Sequence, residues 1–560
     1  MRKVSLLMST RVKFAPVEGA AALFTPAFCE YLTRLHEHLD ARAHDLRQRR
    51  VAVLERALRQ HVLPAHPPAS EATVGAWRVP PMPDELKKPG IEISGPCSIT
   101  SMFINALNPG PEGERAAGDL DDDEDSGGHR LIDTVRSANN RLAAVNRELS
   151  FVDRERNRSY SIADGELPFF MHRERGLHLD EPDVTVDGKP VNAALLGTAL
   201  TLFYAGRAQA GRGQGIYFYL PKLEAAAETR WYRDLFDLSQ THLPFLGEAT
   251  IRAIVLVESL PCVYEMEEML YELGPYAAGL NAARWDLKAS IFEFVMTDPD
   301  QVWPDRFGVD IKTTPFLANV FRRLVAICLK RGAVPIGGMA TALPSPDPDI
   351  NRAAAEAIRA DKQWEAEQGF IRGWVAHIFH MKTAGDPFKK LIGSGWKPTA
   401  QMADPDNYPV AIKVPEGPVT VEGTRRNARM LIEYVEGWLG GRGAKGIDSL
   451  EGKPGIHPAL MEDLATGRMS VAQIAQRIIH RARETRTGAE HDAALVKRLL
   501  GEELADILAR RQGAETHARY RKAVKIAMRW IKNYTELNFR SLGAYSRAEL
   551  DRIAAAPDAL

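Results

Sequence analysis

The chain has 560 residues, more than the roughly 250 to 300 beyond which one hydrophobic core stops growing, so two or three structural units are expected. A composition of 45% hydrophobic and 26% charged residues with a formal net charge of −1 is that of an ordinary globular protein and points to neither a nucleic-acid nor a membrane partner. Four scattered cysteines without a CxxC pair (Cys29, Cys97, Cys262, Cys328) argue against a disulfide frame or zinc knuckle, apolar runs such as AIVLV at 253–257 are too short to span a bilayer, and the opening MRKVSLLMSTRVKF has no continuous apolar stretch followed by a cleavage site. A cytoplasmic chain is expected, and the final APDAL is not a peroxisomal address.

From about 26 to 62 the spacing of Leu32, Leu35 and Leu39, then Val51, Leu54 and Leu58, predicts helix. Prolines at 64, 67, 68, 80, 81, 83 and 89 mark a linker or wrapping segment, so a first unit spans 1–90. Between 91 and 385, β-rich runs precede helical ones: GIYFYLP at 215–221 before LEAAAETRWYRDLFDLS, RAIVLVES at 252–259 before PCVYEMEEMLYEL, then AAGLNA at 277, AVPIGGM at 333 and GWVAH at 373. Repeated β-then-α units predict a parallel sheet, either open and doubly wound or closed as a (β/α)8 barrel, and some 300 residues suit a barrel with insertions. A Gly- and Pro-rich linker covers 386–418, and 419–560 reads as helical. There Ala428, Leu431, Ile432, Val435, Trp438 and Leu439 share a face that Gly440 and Gly441 can end, and a second helix is expected from Ser470, where SVAQ has capping-box form. The intervening 440–469 is long for a loop between helices, a sign of function or disorder, and contains LMEDLATG with Glu462 and Asp463.

GGRGAKG at 440–446 contains GxGxxG but follows a helix rather than a strand, which rules out the dinucleotide reading; no Walker A, GxSxG or HExxH motif occurs. The acidic run DLDDDEDSGG at 119–128 lacks the glycine and glutamate of an EF-hand and, taken alone, reads as a solvated turn. His377 and His380 have no evident third ligand and read as a packed or hydrogen-bonded pair. Glu258 and Asp286 are more specific. Each ends an apolar run that reads as a parallel strand, and strand C-termini carry the site face of an α/β barrel. Two carboxylates converging there suit Mg²⁺; equally, each can pair with a neighbouring base such as Arg284 or Lys222, and spacing leaves both readings open.

At these residues the chain resembles the malate synthases of the shorter type found in bacteria, plants and fungi. The matching stretches run in order from about 91 to 480: EISGPCSITSMFINALNPG, DEDS, HRERGLHLDE, IYFYLPKLE, ATIRAIVLVES, EMEEMLYELGPYAAGLNAARWD, VPIGGMA, RADKQWEAEQGFIRGWVAH, VEGTRRNARMLIEYVEGWL and LMEDLATG. The resemblance implies a (β/α)8 TIM barrel at 91–385 between an N-terminal helical clasp and a C-terminal helical plug at 419–560. It also implies the glyoxylate-cycle reaction, a Claisen condensation of acetyl-CoA with glyoxylate followed by hydrolysis of the malyl thioester. Carried over by position, Glu258 and Asp286 become Mg²⁺ ligands, Arg173 the enolate-stabilising arginine and Asp463 the catalytic base. Gly279, Leu280, Asn281, Arg284 and Trp285 of the signature, with Glu124 and Asp125 of the acidic motif, become substrate-binding residues.

The chemistry agrees with those roles. A thioester methyl is a weak carbon acid, so its deprotonation needs a carboxylate base and fixed positive charge where the enolate oxygen develops, which a permanently charged guanidinium supplies. The chain departs from the family pattern at Tyr276 (histidine), Ala283 (glycine), Leu287 (tyrosine) and Ile378 (proline), and lengthens the loop before LMEDLATG. Ala283 puts a β-carbon beside the oxoacid pocket, which leaves open another 2-oxoacid, a related acyl-CoA condensing enzyme or lyase, or a weakly active or non-catalytic relative. The sequence assigns no oligomeric state.

Overall fold

A computed structural model describes residues 11–455 and 457–556; most of the opening segment and most of the final APDAL lie outside them. Eight strands buried on both faces, several of them apolar at nearly every position, close a parallel barrel. In chain order these are β1 (Gly90–Pro96), β2 (Gly118–Asp122), β3 (Phe169–Arg173), β4 (Ile216–Leu220), β5 (Ile251–Val257), β6 (Ala277–Ala282), β7 (Val334–Ala340) and β8 (Arg372–Val375). Each pairs in parallel with the next, and β8 closes on β1. Leu120, Met171, Tyr219, Leu256, Ile336 and Trp374 fill the interior, while Val255, Val257 and Leu280 face the helical layer. The doubly wound alternative is thereby excluded.

Helix α1 (Pro26–Gln60) begins where Thr25 accepts from the Phe28 amide with Pro26 in the first turn, and ends at His61 in left-handed conformation. It lies against the helix Ala226–His242, whose Trp231 indole donates to the Leu39 carbonyl at 3.0 Å. The proline-rich segment then wraps the barrel: Arg331, buried, donates to the carbonyls of Ala72 (2.9 Å) and Gly75 (2.7 Å).

After β6 comes α2 (Arg284–Phe294), and after β7 comes α3 (Pro348–Gln368). The C-terminal helices are α4 (Val421–Leu439), α5 (Leu464–Ile479), α6 (Ala493–Arg510) and α7 (Ala514–Thr535). α5 packs along α2 and thereby seats this helical layer over the C-terminal ends of the strands. Helix α5 starts at Leu464 rather than Ser470: Asp463 caps it with a complete capping box, while the Ser470 hydroxyl is buried mid-helix and donates to Asn427 at 3.3 Å. Nor is 440–469 merely loop, since Lys445–Ile447 and Leu460–Glu462 form an antiparallel pair. Among the described residues no helix is long and apolar enough to cross a membrane.

Candidate active site

Strand β5 ends at Val257, and Glu258 follows at the barrel mouth, buried, accepting from the Lys222 backbone N–H. Lys222 lies just past β4 with φ at +55°, a conformation L-residues avoid unless their surroundings impose it. Its ammonium sits among four buried carboxylates, donating to Asp286 Oδ2 (2.7 Å), Asp125 Oδ1 (2.9 Å) and Glu124 Oε2 (3.3 Å), with Glu258 Oε2 at 3.9 Å. Asp125, Glu258 and Asp286 each offer an oxygen within 4.8 Å of the others. Of the two readings left open by spacing, the pairing with Lys222 is formed, and the two carboxylates lie close enough together to hold an ion as well.

Burial, aggravated by like-charged neighbours, pushes Glu124 far above the usual carboxylate range and raises Glu258 and Asp286. Burial also opposes ionisation of Asp125, but Lys222 and Arg173 outweigh it and hold that carboxyl well below its ordinary value. Glu258 Oε2 and Glu124 Oε1 are buried with no hydrogen-bond partner. A cluster with more carboxylates than cations, unsatisfied oxygens and an all-oxygen donor set fits a hard divalent ion.

The acidic run that reads as a solvated turn is instead buried, its residues 119–122 in strand β2 and the rest in a turn. Leu120 points into the barrel, so Asp119 and Asp121 point outward, where Arg141 (2.5 Å) and His172 (2.7 Å) bond Asp121. Asp122 shapes the turn that presents Glu124 and Asp125 by accepting the backbone N–H groups of Glu124 and Ser126, both at 2.9 Å. It also takes Arg173 in a two-pronged bond, Nε and Nη2 each at 2.7 Å. Arg173 is thus fixed by two arms, leaving Nη1, 3.4 Å from Asp125, facing the site, with the guanidinium 5.7 Å over the Trp374 ring.

Asp463 enters from the helical layer. Its Oδ1 accepts from the backbone N–H of Ala465 (3.1 Å) and Thr466 (3.4 Å), and its own N–H donates to Thr466 Oγ1 (3.1 Å). The preceding segment is pinned to the end of β7: Met461 N–H donates to the Thr341 carbonyl (2.7 Å), and Leu343 N–H to that of Ala459 (2.9 Å). A cavity of about 40 Å³ is lined by Asp463, Arg173, Asp125, Glu258 and Asp286 together, with Ala283, Met339, Thr341, Trp374 and Met461. Burial, then Asp125 and Asp286, push the Asp463 carboxyl well above its usual range, making it a stronger base than a surface aspartate.

The signature segment divides. Strand β6 stops at Ala282, so Asp286 stands in the first turn of α2 rather than at a strand end. Ala283, Arg284 and Trp285 line the cavity; Gly279, Leu280 and Asn281 do not. Gly279 is demanded by packing, since a β-carbon there meets the Val334 carbonyl oxygen at 2.1 Å. Leu280 faces the helical layer, and Asn281 donates to the Gly337 carbonyl at 2.9 Å. Arg284 is engaged by Asp361 (2.8 Å) and Glu365 of α3. Of the departures, Tyr276 is at the far end of β6, its hydroxyl bonded to Asp237 (2.6 Å) and Gln240 (2.7 Å), and Leu287 is core; Ala283 alone of these reaches the cavity. Ile378 packs against a cluster containing Ile91 and Met381, and His377 caps its own turn through the Phe379 N–H (3.1 Å). Sequence spacing missed the centrality of Lys222, the place of Asp125 among the converging carboxylates, and Arg468, which donates to Asp286 Oδ1 at 3.1 Å. The signal for Arg468 was its position five residues beyond Asp463 on a continuous helix.

Two family models match: malate synthase, TIM barrel domain, over 169–413, and malate synthase, C-terminal, over 418–548. The chain is similar to the malate synthase of Streptomyces clavuligerus, 36% identical over 539 residues that cover 94% of this chain and 95% of that one. It is 34% identical to the malate synthase of Myxococcus xanthus over 95% of both chains. With malate synthase A of Escherichia coli it shares 32% identity over 84% of this chain and 85% of that one.

Proposed function

The chain belongs to the malate synthase family, and on that premise we propose how its residues divide the family's reaction. The enzyme condenses acetyl-CoA with glyoxylate and hydrolyses the malyl thioester to malate and CoA, an acyl transfer in which the acyl group becomes alkyl. The observation that carries the assignment of roles is the meeting of Asp463, Arg173 and the Asp125–Glu258–Asp286 cluster on one cavity, although Asp463 comes from a different structural layer.

Asp463 takes the proton from the thioester methyl through Oδ2, the oxygen its cap bonds leave free, while Oδ1 stays bound to the start of α5 and holds the carboxylate in place. Arg173, anchored on Asp122, offers Nη1 to the oxygen on which enolate charge develops; its geometry is set before the reaction, so no reorganisation is needed as charge appears. Glu258 and Asp286, with Asp125 beside them, would hold Mg²⁺, and the ion would supply Lewis acidity toward the aldehyde carbonyl of the oxoacid. Lys222 keeps the four carboxylates together. Trp374, Met339 and Met461 keep bulk water away from the carbanion, and Ala283 narrows the oxoacid pocket. Residues 1–90, 91–385 and 419–560 act as clasp, barrel and plug. A cytoplasmic setting accords with four buried, unpaired cysteines.

Free-thiol release from acetyl-CoA, measured over a panel of 2-oxoacids with and without Mg²⁺, tests the reading. The expected result is release that requires both glyoxylate and the metal. Thiol release independent of the oxoacid, or none at all, refutes it.

A further inference from the structure

Thr341 follows the last residue of β7 and has no part in the division of roles above, yet it lines the cavity that holds Asp463. Its neighbours Ala340 and Ala342 are buried in an outer cluster with Ile91 and Ile358, so the side chain between them turns the other way, toward the cavity. The strand it meets follows the same alternation. Ala342 pairs antiparallel with Leu460, which packs on that outer cluster, whereas Met461 and Asp463 line the cavity and Glu462 between them does not. The Met461 N–H donates to the Thr341 carbonyl at 2.7 Å. Thr341 and Asp463 are thus diagonal neighbours across a short antiparallel pair, a relation that sets Cα atoms about 7 to 8 Å apart with both side chains on one face. One water can bridge a hydroxyl and a carboxylate so placed.

Nearly every other polar side chain on the cavity makes a hydrogen bond within the protein. Asp125 and Asp286 accept from Lys222 Nζ, and Glu258 from the Lys222 backbone N–H. Arg173 is anchored on Asp122, Arg284 on Asp361 and Glu365, and the Trp374 indole donates to Tyr219 and Glu92. Thr466 Oγ1 accepts from the Asp463 N–H. Among the described residues, the Thr341 hydroxyl and the Trp285 indole N–H are the two groups on the cavity left without a hydrogen-bond partner. The indole can only donate, whereas a hydroxyl also accepts. That difference bears on the second half of the reaction. A water attacking the thioester carbonyl presents a lone pair to carbon, so each of its hydrogens needs an acceptor. Asp463 Oδ2 can take one, and the roles assigned above name no acceptor for the other.

We propose that Thr341 positions the hydrolytic water, its Oγ1 accepting from that water's second hydrogen. The proposal rests on the functional reading above. After condensation, the proton that Asp463 took from the methyl passes to the alkoxide oxygen derived from the oxoacid carbonyl and completes the 2-hydroxyl, so the carboxylate is a base again. The water oxygen then bonds to the thioester carbon as one of its protons moves to Asp463. Collapse of the tetrahedral species breaks the C–S bond, the electron pair leaves on sulfur, and Asp463 returns the proton to the thiolate. The new carboxylic acid loses its remaining proton to solvent. Thr341 neither gains nor loses a proton; it sets the direction of attack.

Thr341→Val keeps the shape of the side chain and removes the acceptor, and Thr341→Ser keeps the acceptor. With Mg²⁺-loaded enzyme in excess over acetyl-CoA and in the presence of glyoxylate, reactions quenched at intervals and separated by chromatography follow acetyl-CoA, malyl-CoA and free CoA individually. Thr341→Val should consume acetyl-CoA within about twofold of the parental rate while release of CoA slows by about tenfold or more, so that malyl-CoA accumulates. Hydrolysis of added malyl-CoA should slow by the same factor, and Thr341→Ser should recover most of it. Parental CoA release by Thr341→Val, or loss of condensation and hydrolysis in equal proportion as a merely structural role would give, overturns the proposal. Should Thr341→Val melt well below the parent, Thr341→Ala is read in the same way. Neither variant bears on the function itself, which stands or falls on thiol release by the parental enzyme.

Discussion

Lys222→Met is the most direct probe of how the acidic cluster is held together. The ammonium lies 2.7 to 3.9 Å from oxygens of Asp286, Asp125, Glu124 and Glu258, all buried. At an effective dielectric of about 20, a single unit-charge pair about 3 Å apart is worth roughly 5 kcal/mol before desolvation is counted. Much of that is offset by the cost of burying the charges, and removing one partner of a buried ionic cluster nets about 3 to 5 kcal/mol of destabilisation. Methionine keeps the length and apolar stem of lysine and faces the same left-handed backbone, so the change isolates the charge. The metal-free variant should therefore melt roughly 3 to 8 °C below the parent. A divalent ion restores the missing charge, and because the variant lacks an ammonium competing for the same oxygens, Mg²⁺ should bind it more tightly and raise its melting temperature more than the parent's; the gain at 100 times Kd is about 2.7 kcal/mol. Thermal melts of both proteins across a Mg²⁺ titration measure this. Equal stability without metal, or equal Mg²⁺-induced shifts, would refute the idea that Lys222 balances the charge of the ion-binding carboxylates.

Asp463→Asn should lower kcat by about 10² to 10⁴ with the acetyl-CoA KM little changed and methyl-proton exchange into deuterated water lost, yet leave stability intact, because asparagine caps a helix as well as aspartate does. Asp463→Ala should lose the same activity and about 1 kcal/mol of stability besides, so kinetics and melts together separate base from cap. Removing the methyl that projects on the cavity, Ala283→Gly should raise glyoxylate kcat/KM relative to larger 2-oxoacids by a few-fold, and an unchanged ratio means the pocket absorbs the methyl elsewhere. Burial raises the Glu224 carboxyl to about 7, opposed by Arg50. An acid that holds its proton more tightly when folded contributes stability below its unfolded value and loses it as pH rises through the folded one. Glu224→Gln should accordingly gain on the parent between pH 5 and pH 8, by about 1 to 3 kcal/mol, in melts taken across that range.

The barrel is legible because strands buried on both faces must be apolar almost throughout, and IYFYL, IRAIVLV and VPIGGMA are. Strand β2 breaks that rule. Its outward-facing Asp121 is paired with Arg141 of the helical layer and its Asp119 is buried with neither oxygen bonded, so no apolar run marks it and composition alone misreads it as solvated. The start of α5 is displaced for a related reason: SVAQ has the form of a capping box, but Ser470 is buried inside the helix and the cap seven residues earlier, Asp463 with Thr466, is the one formed. Strands of three residues leave no periodic trace, so the pairing that carries the chain to Asp463 reads as loop. Lys222 was beyond reach of any local pattern. Its partners Asp125, Glu258 and Asp286 lie in the turn after β2, at the end of β5 and in the first turn of α2, and closure of the barrel brings them to it.

How precisely base and ion-binding carboxylates are set relative to each other follows from where each sits on its helix. Asp286 is in the first turn of α2 and Asp463 caps α5, and these two helices pack along one another. Arg468, on α5, spans the seam: Nη1 donates to Asp286 Oδ1 at 3.1 Å, Nε to Glu293 at 2.8 Å, and the Tyr534 hydroxyl of α7 donates to the same glutamate at 2.7 Å. The separation of Asp463 from Asp286 is thus fixed by helix packing and a buried, charge-assisted set of bonds rather than by the long segment between α4 and α5. A site whose members must lie within about 0.5 Å of their working positions is better held on rigid elements than on a loop. That explains how the segment before LMEDLATG can be long in this chain without loosening the site: its last residues are tied to β7, and from Asp463 onward the helix takes over.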